Sequence, residues 1–508
     1  MALPRDSGEL RPSSTRAAGW TLAARQGERL LGVISIAVLA RALSPHEFGL
    51  VAMAGSVVAL IEVLAAFGFD WALVRIREPS RADYDTAWTL RVLSGVATFA
   101  ALSAAAYPAA LYFRQPAVTW IVVAMGANGF LASLENIGIV DFRRAMRFDL
   151  EFRMRIGSRV AGTAAAVTCA LLTHSYWALV LGITVGRIVW VALSYAMHPF
   201  RPRWDLSRRA GLIDFSLWIQ FAAVTEALRA RFADVWIGRY LGSTSVGLYS
   251  MTSELSAVAT SEFAAPINRA VYVTYLELGG RISELRERFL RVSGIIWAIG
   301  IPMAVGMFVT ADQVVAVLLG SQWRNAAEVL RILTIAALIN VSASNTHYVY
   351  WALGRPKFVT MLSLVGAAAF LLFTPLFGRS MGITGVATAQ VLASLLAAAI
   401  IYTSLRSTLE LPLRVIAARN YRVVLASLFM AACVRGAELA LVAANVRNAA
   451  VQLSAMVITG VAAYFAALGG LWLALRRPPG PEGDMVDFAV RQLGRLGLYR
   501  ARSDSALP

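Results

Sequence analysis

The sequence predicts an all-α polytopic membrane protein. About fourteen transmembrane helices are expected, as two pseudo-repeated six-helix lobes followed by two C-terminal helices. Three observations predict it. Of the 508 residues, 58% are apolar and only 15% are charged, and the mean hydropathy is +0.63, whereas a soluble domain runs near half apolar and a quarter charged. The apolar residues fall in blocks of about twenty, long enough to cross a hydrocarbon core about 30 Å thick, and a backbone in lipid must satisfy its own hydrogen bonds, which makes those blocks helices. Finally, the stretch from Trp20 to Met53 returns without a gap from Trp218 to Met251, an offset of 198 positions. It superimposes Trp20 on Trp218, Ala24 on Ala222, Glu28 on Glu226, Arg41 on Arg239, Gly49 on Gly247 and Met53 on Met251. An internal duplication in a membrane chain is the usual architecture of a transporter.

In chain order, the first six spans are expected near 17–41, 46–69, 84–107, 117–140, 156–174 and 176–197. Six more follow near 213–239, 246–270, 290–311, 326–351, 357–377 and 380–404, and the last two near 419–443 and 449–475. The organisation is an N-lobe over 1–197, a cytoplasmic linker over 198–212, a C-lobe over 213–405, two further helices over 406–477 and a cytoplasmic tail over 478–508. Between the first two spans, Ser44-Pro45-His46-Glu47 places a capping hydroxyl, then proline at the first helical position, then a glutamate able to reach back, which predicts a tight turn with the second helix starting there. No short apolar region with a small-residue cleavage site opens the chain, so the first helix is expected to stay. In the tail, Met485, Phe488, Ala489, Leu493 and Leu496 share one helical face and Arg491 and Arg495 the other, the pattern of a short amphipathic helix lying on the membrane surface.

The net charge of +17 comes almost wholly from arginine, Lys357 being the only lysine. Its distribution argues against a nucleic-acid surface. Alternate loops hold Arg75, Arg77 and Arg81, then Arg143, Arg144, Arg147, Arg153 and Arg155, then Arg201, Arg203, Arg208 and Arg209, and onward to Arg476 and Arg477. The opposite loops hold only isolated cases such as Arg41, Arg114, Arg239 and Arg324. The positive-inside rule then places both termini in the cytoplasm, which requires an even number of spans. Cys169 and Cys433 lie in separate apolar blocks and read as small buried hydrophobes rather than a disulfide or metal framework. Tryptophans such as Trp71, Trp88, Trp120 and Trp204 cluster near span ends, as interfacial belts do.

Ionisable residues inside a span are costly and call for a partner or a hydrated cavity. The first span carries Arg25, Glu28 and Arg29 on one face; the seventh carries Glu226 and Arg229, then Arg231 and Asp234 on another flank. Arg91 and Arg187 stand in the third and sixth spans, and Glu62 in the second. Arginine binds phosphate oxygens bidentately and stays charged when partly desolvated. A cavity lined by Arg25, Arg29, Arg91, Arg187 and Arg229 therefore suits an anionic substrate. Glu28, Glu226, Glu62 and Asp234 would balance charge or couple transport to H⁺ or Na⁺, with no organic cofactor or metal called for. Intrahelical pairs such as Arg25–Glu28 are the structural alternative for the same residues.

The segments A-R-A-L-S-P-H-E-F-G-L-V-A-M-A at 40–54, I-V-D-F-R-R-A-M-R-F-D-L-E-F-R at 139–153 and A-D-V-W-I-G-R-Y-L-G-S-T-S-V-G-L-Y-S-M at 233–251 resemble those of bacterial polysaccharide transporters, the Wzx-like lipid-linked oligosaccharide flippases. That family shares a superfamily with multidrug/cation antiporters and peptidoglycan-precursor flippases. The resemblance implies two six-helix lobes facing a central cavity. It also implies movement of an undecaprenyl-pyrophosphate-linked oligosaccharide across the bacterial inner membrane by alternating access, for exopolysaccharide or lipopolysaccharide synthesis. Polymerases and glycosyltransferases of the same pathway are the expected protein partners, and no enzymatic activity is expected. A multidrug/cation antiporter and a peptidoglycan-precursor flippase are the alternatives. No loop pattern points to a membrane glycosyltransferase.

Overall fold

Ser44 and Glu47 set where the first hairpin turns. The Ser44 backbone N–H and hydroxyl both donate to the Glu47 carboxylate, at 2.6 and 2.8 Å, and Pro45 opens the next helix at a position where its missing N–H costs nothing. The structure, a computed structural model, describes residues 27, 31–32, 34–65, 73, 79–145, 147–207, 217–476, 480 and 482–483. Arg25, Glu28 and Arg29 lie outside the described residues, as does the amphipathic tail over 484–500.

Helical residues 34–42 form the end of α1. There follow α2 (Pro45–Ala65), α3 (Arg81–Phe113), α4 (Ala117–Ser133), the short α5 (Val140–Arg144), α6 (Phe148–Thr173) and α7 (Trp177–Met197). After the linker come α8 (Leu217–Tyr240), α9 (Ser243–Leu278), α10 (Ile282–Val309), α11 (Ala311–Leu318), α12 (Ala326–Ala352), α13 (Pro356–Thr408), α14 (Leu413–Ala443) and α15 (Ala449–Ala474). The chain is an all-α, multi-pass membrane protein. Among the described residues nine helices are long and apolar enough to cross a membrane, or ten if a helix pair bent by 65° is one span.

Several helices outrun their apolar blocks because polar pairing carries them further. α3 spans 33 residues and starts at a reciprocal cap, in which Ser80 accepts from the Asp83 N–H while the Asp83 carboxylate accepts from Ser80. α6 starts eight residues before the predicted 156, its first turns bridged by Glu151, which pairs with Arg155 at 2.8 Å and Arg143 at 3.3 Å. The eleventh and twelfth predicted spans meet within α13 at Gly382, whose φ of 64° and ψ of −139° only glycine adopts readily. The sequence places that break a few residues earlier, near Arg379.

The chain divides into two compact units, one comprising Met1–Ser250 with Leu318–Gln322, the other Met251–Val317 with Trp323–Pro508. In the first unit, α6 and α7 approach closely because small residues meet at their crossing. A Cβ on Gly162 would lie 2.6 Å from the Gly182 carbonyl oxygen, and one on Gly186 would lie 3.2 Å from that of Ser158; stripes of small residues serve this end where lipid offers no hydrophobic drive between helices. The second unit holds a core of Tyr275, Leu285, Phe289, Leu362, Ile401 and Leu405, threaded by a polar seam. There the Tyr275 hydroxyl donates to Asn345 at 3.1 Å, Asn345 donates to Ser293 at 2.8 Å, and the Trp297 indole donates to the Ser342 carbonyl at 3.2 Å. Each bond closes a polar group that lipid would leave unsatisfied.

Candidate functional site

The α6–α7 crossing places two arginines far from the helix ends in the first unit. Ser158 faces Gly186 across it, so Arg159 and Arg187, each the next residue, flank the same point. Both are about ten residues from a helix end, roughly 15 Å along the axis. Arg159 is exposed, and its Nη2 would lie 3.4 Å from a Cβ on Gly32, which brings α6 alongside the first span. Arg159 is the one arginine of this crossing that the sequence reading did not single out. Its signal was present, an arginine within the fifth span, but the helix start predicted at 156 put it at the span's edge.

Glu62 reaches the same region from α2. Its Oε1 lies 2.8 Å from where a Cβ on Gly129 of α4 would stand, and Arg187 is its cationic neighbour. The fold therefore brings together Glu62 and Arg187 from two predicted groups. Beside Gly129, Asn128 is 4% exposed, and neither atom of its amide has a hydrogen-bond partner among the described residues.

The other predicted charges are placed differently. Arg91 pairs with Glu135 and also donates to the Ala132 carbonyl at 3.1 Å, while the Trp190 indole holds the other Glu135 oxygen at 2.8 Å. That network ties α3, the end of α4 and α7 together. Asp234 is 7% exposed and pairs with Arg231, one turn away, at 3.6 Å. Arg229 is half-buried on α8; the Glu226 side chain lies outside the described residues. Among the described residues no cluster of three His, Cys, Asp or Glu side chains could hold a metal ion.

The motif over 139–153 proves to be a buttress. Asp141 accepts from the Tyr84 hydroxyl, Arg144 donates to that hydroxyl at 3.3 Å, and His198 lies 3.6 Å from the Asp141 carboxylate. The linker is strapped along the start of α3: the Arg203 N–H donates to Asp85 at 2.8 Å and the Asp205 N–H to Thr89 at 3.0 Å. Trp204 meets Trp88 edge-on with ring centroids 5.3 Å apart.

The two repeat copies meet inside the first unit. Pro45 and Ser243 are equivalent under the 198-residue offset, as are Gly49 and Gly247. A Cβ on Gly49 would lie 1.8 Å from the Ser243 carbonyl oxygen, and one on Gly247 would lie 1.9 Å from that of Pro45. Nearby, His46 Nδ1 and the Ser243 hydroxyl share a hydrogen bond of 2.5 Å. The duplicated hairpins thus pack as a pseudo-twofold pair.

Residues 38–328, which include both of these turns, match the family described as Polysaccharide biosynthesis protein. The chain belongs to that family. Among curated relatives, it is 26% identical over 380 residues to the succinoglycan biosynthesis transport protein ExoT of Rhizobium meliloti, covering 73% of each chain. It is 22% identical to the lipopolysaccharide biosynthesis protein WzxC of Escherichia coli, over 65% of this chain and 68% of that one. Among solved structures, the lipid II flippase MurJ in an inward closed conformation matches with a TM-score of 0.69 at 12% identity, over 90% of this chain and 99% of that one. An inward-facing multidrug resistance MATE family transporter matches with a TM-score of 0.59 at 16% identity, over 75% and 94%. At these identities the structural likeness establishes the fold.

Proposed function

We propose that this family member is the flippase of a polysaccharide pathway. It carries an undecaprenyl-pyrophosphate-linked oligosaccharide from the cytoplasmic to the periplasmic leaflet of the bacterial inner membrane by alternating access, for exopolysaccharide or lipopolysaccharide synthesis. The observation that carries the reading is the family match across both copies of the repeated hairpin. The charge at the α6–α7 crossing gives it chemistry. Arg159 and Arg187 offer guanidinium forks to the pyrophosphate, with Arg25, Arg29 and Arg229 as further candidates, and the polyprenyl tail stays in lipid. Glu62 balances Arg187 in the empty carrier, so an arriving diphosphate competes with a carboxylate already in place. With the arginine-rich loops in the cytoplasm, the α1–α2, α3–α4 and α8–α9 turns face the periplasm. H⁺ or Na⁺ coupling through the acids belongs to the same proposal, and polymerases and glycosyltransferases of the pathway are its proposed partners.

The test is complementation. A deletion strain should lose surface glycan and accumulate the lipid-linked unit on the cytoplasmic side, and the wild-type gene should restore export. Arg187→Ala and Arg159→Ala should not restore it, although both proteins insert normally. Intact glycan in the deletion strain together with a changed drug-susceptibility profile would instead favour an antiporter.

A further inference from the structure

Within the second unit, the first turns of α10 and the turn between α13 and α14 enclose a cavity of about 490 Å³, inside the range of about 300–1,000 Å³ usual for small-ligand sites. Ser283 and Arg286, one turn apart on a shared face of α10, line it together with Glu287. Glu410 lines it from the α13–α14 turn, and Leu290, Leu411 and Val415 are its apolar lining. α10, α13 and α14 are each long and apolar enough to cross a membrane. A turn that joins two such spans lies where hydrocarbon gives way to headgroups.

The cavity holds both signs of charge without joining them. Arg286 is half-buried, and its one hydrogen bond among the described residues, from Nη1 to the Glu410 carbonyl oxygen, is long at 3.5 Å. The Glu410 carboxylate makes no ion pair among the described residues, whereas Glu287 is engaged by Arg291 at 3.6 Å. Glu410 also occupies an uncommon place for a glutamate. It follows the closing turn of α13, where the Leu409 N–H donates to the Leu405 carbonyl at 2.9 Å, and its φ is 51°. That left-handed position after a helix is ordinarily glycine. The turn alone would be easier with glycine; the carboxylate is what glutamate adds.

We propose that this cavity binds the headgroup of a zwitterionic aminophospholipid, phosphatidylethanolamine. The phosphodiester takes the Arg286 fork and the Ser283 hydroxyl, and the ammonium donates to the Glu410 carboxylate. The acyl chains leave along Val415 and Leu413, which are 38% and 54% exposed. Charge then selects among lipids. An anionic headgroup such as phosphatidylglycerol brings no cation for Glu410 and meets two carboxylates. A choline headgroup has no N–H to donate, and the lining residues include no aromatic ring to hold a quaternary ammonium.

The test uses the purified full chain in detergent, stripped of lipid. Native mass spectrometry counts bound lipid as short-chain phosphatidylethanolamine, phosphatidylcholine or phosphatidylglycerol is added, so neither glycan nor transport takes part. Phosphatidylethanolamine should bind about tenfold more tightly than either of the others, the factor for one hydrogen bond to a charged group. Glu410→Gly should melt no lower than wild type, because glycine suits the turn, and should lose that preference, so that unfolding does not account for the loss. Glu410→Lys should turn the preference toward phosphatidylglycerol. Arg286→Gln should weaken phosphatidylethanolamine and phosphatidylcholine alike. Equal binding of the three lipids by the wild-type chain overturns the proposal, as does an ethanolamine preference that survives Glu410→Gly. Phosphoethanolamine, the headgroup without acyl chains, should bind far more weakly than the lipid; equal binding would make the ligand a soluble phosphate ester and overturn the lipid assignment.

Discussion

Gly49 and Gly247, equivalent residues of the two repeat copies, pack so closely across their helices that each lies against the carbonyl one turn before the other. The contact leaves no room for a methyl group: a Cβ would sit at 1.8 Å in one case and 1.9 Å in the other. Gly49→Ala and Gly247→Ala should each force α2 and α9 apart and lower stability by about 1–3 kcal/mol or more, the range for overpacking. Gly55→Ala is the internal comparison, because its Cβ would meet only Met125 Cε at 3.8 Å. Melting in detergent should rank Gly55→Ala near wild type and both other variants well below it. Equal melting of all three would mean that the close crossing is not populated.

Arg91 and Arg187 should separate cleanly in their effects. Arg91 is one member of a pair whose other member, Glu135, is buried, and removing one partner of a buried pair costs about 3–5 kcal/mol. Arg91→Ala should therefore melt early, and the double change with Glu135→Gln should recover part of the loss. Arg187→Ala should melt close to wild type and fail in export. Loss of export by both variants at equal thermal stability would contradict the division.

The helices were legible because the bilayer enforces length and apolarity, and Ser44-Pro45-His46-Glu47 was legible because caps are local chemistry. The repeat was visible too, but not that its copies lie against each other, since a carbonyl-to-glycine contact leaves no mark beyond the glycines. Arg159 was missed because apolarity located the fifth span, whereas Glu151 pairing with Arg155 and Arg143 extends α6 eight residues earlier.

Glu482 anchors the segment after α15. It pairs with Arg422 of α14 at 2.9 Å, with the side chains 5% and 3% exposed, and Gly480 lies so close that a Cβ there would fall 2.1 Å from the Arg422 guanidinium. Glu482→Ala removes the carboxylate of this buried ion pair. It should cost about 3–5 kcal/mol, and truncation after Arg477, which removes the same carboxylate, should cost as much. Glu482→Asp, which keeps the charge but shortens the reach, should fall between. Wild-type melting of the truncated chain would show the pair to be dispensable.

His198 should make the linker strap sensitive to acid. Burial holds its imidazole below the ordinary value of 6.5; the Asp141 carboxylate opposes that shift and Arg201 adds to it. Geometry requires the neutral ring as well. The Phe200 N–H donates to Nδ1 at 3.2 Å, and a protonated Nδ1 has no lone pair to accept it. A pKa depressed in the folded state means that the released strap binds the proton more tightly. The contribution of His198 is thus whole above about 6.5 and is lost as pH falls through the depressed folded value. Hydrogen exchange at the Phe200, Arg203 and Asp205 amides, corrected for intrinsic rates, should quicken as pH drops from about 7.5 to about 5.5. His198→Asn, which keeps a hydrogen-bonding group that does not titrate, should flatten that dependence. An unchanged profile in this variant would show that His198 does not carry the pH effect.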